Sequence, residues 1–155
     1  MSVKNMTTSA SIAKSSDSQR AALPDRSLFL RRVLQGNAAF STLSGLVMLV
    51  DSKPLANFLG LADPSVISYL LALGIGLLFW AMLAFWVSTQ PTLGRTGVFT
   101  IIEGDLLWVA GSIILLISGW LPFSTAGYWA VAIVADVVAL FAILQYVGWR
   151  RIAQG

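Results

Sequence analysis

Apolar residues crowd into four long runs, 33–50, 66–88, 98–121 and 124–147, and the connections between them hold Pro54, Pro64, Pro91 and Pro122. Each run approaches the ~20 residues that cross a ~30 Å hydrocarbon layer as an α-helix rising ~1.5 Å per residue. Four transmembrane helices are predicted, because lipid offers no partner to the backbone polar groups of an open structure. The runs lack the alternation of apolar and polar positions that barrel strands require. The expected fold class is therefore all-α, a four-transmembrane-helix bundle.

The connections refine this picture. In the first, the short apolar stretch from Leu55 to Leu61 is expected to lie in the membrane interface. Gly119, Pro122 and Gly127 make the third connection tight, so the last two spans should form a hairpin. Shifting the sequence by 68 lays Gly36-Asn37 on Gly104-Asp105, Phe40 on Trp108 and Ser44 on Ser112, and shifting by 59 lays Tyr69 on Tyr128. That is the pattern of a parallel two-plus-two hairpin repeat. Apolar helices align readily with one another, so duplication and chance both stay open.

Composition agrees with a bilayer protein. The 155 residues are 57% hydrophobic and 11% charged, with a mean hydropathy of +0.79, where a soluble domain has roughly 45–50% apolar and about 25% charged residues. Residues 1–25 are rich in Ser, Thr and Ala and lack aromatics, and are expected to form a disordered cytoplasmic tail ahead of a transmembrane domain spanning 26–151. A targeting peptide is the alternative reading of that tail.

The net charge of +3 and pI near 9.7 suggest nucleic acid until the charges are placed. With the N-terminus in the cytoplasm, Lys4, Lys14, Arg20, Arg26, Arg31, Arg32, Arg95, Arg150 and Arg151 fall on that face and only Lys53 lies across the membrane. This distribution follows the positive-inside rule. The expected location is the cell (inner) membrane, with both termini cytoplasmic, and an organelle membrane is less favoured. The expected partners are the lipid bilayer and a larger membrane complex or a second copy of the chain, not nucleic acid.

The chain has no cysteine and no histidine, which excludes disulfides, thiolate nucleophiles, histidine-ligated haem and Ser-His-Asp triads. Asn37 or Gln145 as substitute haem ligands are disfavoured. No nucleophile, base and orienting group can be assembled, so a non-enzymatic protein without cofactor or metal is expected.

The informative residues are the polar ones inside the spans. In the first, Asn37, Ser41 and Ser44 share an arc of about 60° at about 100° per residue. In the third, Asp105 shares a face with Trp108 and Ser112, whereas Glu103 points about 160° away. Glu103 lies about 8 Å from the inner end of its span, and an interfacial ion pair with Arg31, Arg32 or Arg95 is expected. Asp105 is expected to point into the bundle, towards the Asn37 stripe.

In the fourth span Asp136 is the deepest acid, about 18 Å from the cytoplasmic end. Because Ala132, Ala135, Ala139 and Ala142 run down an adjoining face, Asp136 is expected to be internal and to donate a hydrogen bond, as a neutral acid, to Ser41, Ser44 or Ser112. Ala72 and Gly76 should admit a neighbouring helix closely in the same way.

Two functional readings follow. In one, these polar side chains hold helices in register within an accessory, assembly or structural subunit. In the other, Asp136 and Asp105 with Asn37, Ser41, Ser44 and Ser112 form the site of a small proton- or monovalent-cation-coupled transporter.

The segments GNAAFSTLSGLVMLV, DLLWVAGS and ADVVALFAILQYVGWRR resemble a group of small, uncharacterised bacterial four-helix membrane proteins. The resemblance implies the fold and a bacterial source. It implies no activity.

Overall fold

A computed structural model describes residues 26–61 and 63–154, so the expected tail lies outside the described residues. The helices are α1 (Arg26–Val50), α2 (Ser52–Leu59), α3 (Ser65–Thr89), α4 (Arg95–Ser118) and α5 (Thr125–Ala153), with no strand among the described residues. Of these, α1, α3, α4 and α5 are long and apolar enough to cross a membrane.

The helix ends differ from the apolar runs for local reasons. α1 begins at Arg26 because its first turns already carry the core residues Leu30, Val33 and Leu34. α4 stops at Ser118, where Gly119 turns into the left-handed region at φ 63°, a conformation that costs glycine little. α5 runs on to Ala153 and carries Arg150 and Arg151 in its last turn, where cations suit the helix dipole. The interfacial stretch folds as α2 and ends at Gly60, whose φ is 80°. Between α2 and α3, the Asp63 carboxylate accepts the Ser65 backbone N–H at 2.8 Å, which holds its carboxyl below the usual carboxylate range.

α1 lies along α3, α4 lies along α5, and α1 also meets α5. The order across the bundle is thus α3, α1, α5, α4, two hairpins standing side by side. α3 and α4 touch only lightly although a short turn joins them. One such approach is between Val87 and Gly97, close to that turn. Further along, Trp80 of α3 reaches Gly104 of α4, and beyond that contact the flank of the bundle opens into cavities.

The closest crossing is between α1 and α3. A Cβ built on Gly45 would lie 2.9 Å from the Gly74 carbonyl oxygen, and one on Gly74 would lie 2.9 Å from that of Gly45. Only paired glycines let two helix backbones approach in this way. The expected close approach at Ala72 and Gly76 is not found, since both are exposed and the buried face of α3 runs through Leu70, Gly74, Ala81 and Ala84.

The apolar core is divided. Near the basic end of the bundle, which carries Arg31, Arg95, Arg150 and Arg151, Leu30, Leu34, Ala84, Val87, Val98 and Ile101 pack together. Near the far end, Ala56, Leu59, Leu61, Val66 and Leu70 form a second cluster beneath α2. That end is tied by backbone bonding. Ser124 N–H donates to Leu59 O at 2.8 Å, Ser124 Oγ donates to Phe58 O at 2.7 Å, and a Cβ on Gly127 would meet Leu59 O at 2.7 Å. The first hairpin is thereby bonded to the start of α5. Trp120 and Trp129 stand exposed at this end and Trp86 at the basic one, as interfacial aromatics do.

Candidate functional site: a buried carboxylate beside an intramembrane crevice

Between the two apolar clusters the interior is polar. Asp105, on α4, is 2% exposed and accepts hydrogen bonds from three other helices. Asn37 Nδ2 of α1 donates to its Oδ2 at 2.7 Å, Gln145 Nε2 of α5 donates to the same oxygen at 2.9 Å, and Trp80 Nε1 of α3 donates to Oδ1 at 3.1 Å. One side chain therefore ties the four spans together. Asn37 and Asp105, which the 68-residue shift superposes, are themselves bonded partners.

All three donors are neutral. No cation among these partners offsets the charge of the ionised carboxylate, and removing such a charge from water is costly. Asn37 Oδ1 and Gln145 Oε1 are also buried and have no hydrogen-bond partner. The cluster thus holds more acceptors than its own donors satisfy. Such an excess is uncommon in a folded interior.

Asp105 forms part of the floor of a cavity of about 450 Å³ between α3 and α4. Ser41, Ser44, Trp80 and Trp108 line it with Phe40, Met48 and other apolar residues, and no Lys or Arg among the described residues does so. A second cavity, of about 700 Å³, continues towards the far end, and the two share Met48, Leu73, Leu107 and Trp108. Together they make a trench along the open flank.

Of the residues expected at this site, Asn37, Asp105, Ser41 and Ser44 come together. Ser112 does not: its hydroxyl donates to Trp108 O at 2.9 Å, and it lines the second cavity. Asp136 departs furthest from expectation, because it is exposed on the outside of α5. The buried face of α5 is set by Ala135, Val138, Ala142 and Gln145, and Asp136 lies about 140° from its centre at about 100° per residue. The alanine stripe suggested a different centre, but Ala132 and Ala139 are only half-buried.

The expected ion pair of Glu103 with Arg31, Arg32 or Arg95 does not form among the described residues. Glu103 and Arg32 are exposed. Arg31 donates to Ser88 O at 2.6 Å and Pro91 O at 3.0 Å, capping the end of α3. Arg95 lies over the Phe99 ring, 5.3 Å from its centroid. The carbonyls at a helix end attract a guanidinium strongly, which accounts for the choice made by Arg31.

Two members of the site, Trp80 and Gln145, were missed by sequence reasoning. Gln145 had a signal, being an amide in an otherwise apolar stretch of α5. Trp80 had none, since it sits among the aromatics of GLLFWAMLAFW.

The arrangement can hold a proton or a cation on Asp105 and orient it. Among the described residues, no three His, Cys, Asp or Glu side chains gather as metal ligands would. The fold and site define a four-helix transmembrane bundle organised around one buried carboxylate. Comparison of the chain with protein-family models, curated proteins and solved structures finds no match.

Proposed function

We propose that this chain is a small, non-enzymatic, multi-pass protein of the cell membrane that exchanges a proton or monovalent cation at Asp105, as the coupling site of a permease. The observation that carries the reading is a carboxylate bonded by three neutral donors, with no cationic partner among the described residues, at the floor of a crevice. Ionisable groups at membrane depth are expensive and are found where ions or protons move. Among the described residues no other titratable side chain lines the inner cavity, so the exchanging charge there is that of Asp105. The distribution of Lys and Arg supports an orientation with both termini in the cytoplasm.

The test is flux in proteoliposomes. An imposed pH gradient should be dissipated by Na⁺ or K⁺ with the wild type and not with Asp105→Asn reconstituted at equal density and helicity. Equal dissipation by both proteins overturns the reading.

A second reading rests on Asp136. It is exposed on α5 about 10 Å below the level of Trp129, within a stripe of exposed Trp129, Ile133, Leu140 and Ile143. A lone acid facing lipid favours association, and the spacing of four and three residues suits a second copy packed along the same seam. In this reading the chain is a structural or assembly subunit. Cross-linking between copies at Ile133 and Leu140 would support it, and a monomer at all densities would exclude it.

A further inference from the structure

Resting on the reading of Asp105 as a cation-exchange site, we infer that the trench between α3 and α4 binds amphiphilic organic monocations, which reach Asp105 sideways from the bilayer. The charge argument comes first. Among the described residues, Asp105 is bonded only to neutral N–H groups, no Lys or Arg lines the trench, and the other acid on its walls, Asp63, lies in the outer cavity. An occupant that brings one positive charge neutralises this carboxylate. One that brings none leaves the charge buried and uncompensated.

The walls select the rest of the molecule. Phe40, Trp80 and Trp108 present aromatic surface, and the hydroxyls of Ser41 and Ser44 line the same inner cavity. Aromatic faces attract diffuse cations such as quaternary ammonium groups. A small inorganic cation is served less well, because it needs several oxygens to replace its water, and Asn37 Oδ1 and Gln145 Oε1 are not among the trench walls. The inner cavity, at about 450 Å³, falls within the range of roughly 300–1,000 Å³ typical of small-molecule sites.

The route follows from the packing. α3 and α4 touch lightly, so the trench opens on the flank that faces the hydrocarbon. Exposed Leu73 and Leu107 line both the inner cavity and its extension. A lipid-soluble cation already partitioned into the bilayer therefore meets Asp105 without crossing a polar barrier.

The experiment uses the full chain in lipid nanodiscs, with tetraphenylphosphonium as the cation and tetraphenylmethane as its uncharged counterpart. Tetraphenylphosphonium should bind saturably and quench tryptophan fluorescence, and the uncharged compound should bind at least about tenfold more weakly. Asp105→Asn should lose at least about tenfold in affinity for the cation while retaining its melting temperature. Gly76→Phe should also lose binding, because Gly76 borders the inner cavity and a Cβ there meets nothing within 4 Å. If the uncharged compound binds as tightly as the cation, the trench is an acyl-chain groove and the inference fails. It fails equally if Asp105→Asn binds the cation as the wild type does. Should Na⁺ or K⁺ flux depend on Asp105 while tetraphenylphosphonium does not bind, the inference falls and the exchange site stands.

Discussion

The six-membered ring of Trp80 lies where a side chain on Gly104 would begin, so the absence of a side chain on α4 fixes the position of an indole on α3. The same indole donates its N–H to Asp105, the next residue along from Gly104. Gly104→Ala is therefore expected to push the ring aside and break that hydrogen bond, at about 1–3 kcal/mol of stability, the usual range for overpacking. Trp80→Phe removes the bond directly. Because both substitutions act on one contact, the double variant should cost less than the sum of the two. Thermal unfolding in detergent of the four proteins of this cycle measures it, and strict additivity would show that Gly104 does not act through Trp80.

Asp105 should tolerate one substitution and not another. In Asp105→Leu three N–H donors from Asn37, Gln145 and Trp80 lose their acceptor, for an expected loss of about 2–4 kcal/mol in total. Asp105→Asn retains an acceptor oxygen, and its new amide can donate to the unpartnered Asn37 Oδ1 or Gln145 Oε1. Its stability should stay within about 1 kcal/mol of the wild type. Chemical unfolding in mixed micelles separates the two. Equal loss in both variants would mean that the negative charge itself holds the bundle.

Arg31 and Glu103 should behave oppositely to a paired acid and base. Arg31→Gln removes donors to Ser88 O and Pro91 O at the end of α3, for an expected loss of about 1–3 kcal/mol. Arg31→Lys should restore only part of this, since an ammonium cannot span two carbonyls as the guanidinium fork does. Glu103→Gln, at an exposed position, should stay within about 0.5 kcal/mol of the wild type. A Glu103→Gln loss matching that of Arg31→Gln would revive the ion pair.

Asp136→Leu should favour insertion of α5 by about 2.5–3.5 kcal/mol, the penalty of an aspartate at the centre of a membrane helix. Membrane-insertion efficiency of an isolated α5 segment measures that term. In the whole protein the same variant should reduce self-association if the exposed stripe of α5 is a seam between copies. Photobleaching steps counted in vesicles of defined protein density report the change, and unaltered step counts would leave Asp136 without a role in assembly.

Much of the fold was legible because membrane-spanning length and apolarity are properties of whole segments, insensitive to any single residue. The separation of Glu103 from Asp105 was legible for a related reason: helical period fixes relative angles within one helix. It does not fix which angle faces the neighbours. For α4 the choice was correct, since Asn37 offered a polar counterpart on α1. For α5 it was not, because Ala132 and Ala139 widened the small-residue face and drew the expected interface towards Asp136, while Gln145 on the other side sets the true one. The lateral crevice was not legible at all. It depends on α3 and α4 meeting so little, which is a matter of packing between residues far apart in the chain.

The bonding of Ser124 to Phe58 and Leu59 has a consequence for how the two hairpins are joined. They are fastened at mid-depth by the Asp105 cluster and again at the far end, where α2 is buckled to the head of α5. One strap of that buckle is the Ser124 hydroxyl and the other its backbone N–H, so Ser124→Ala would slacken the buckle without undoing it.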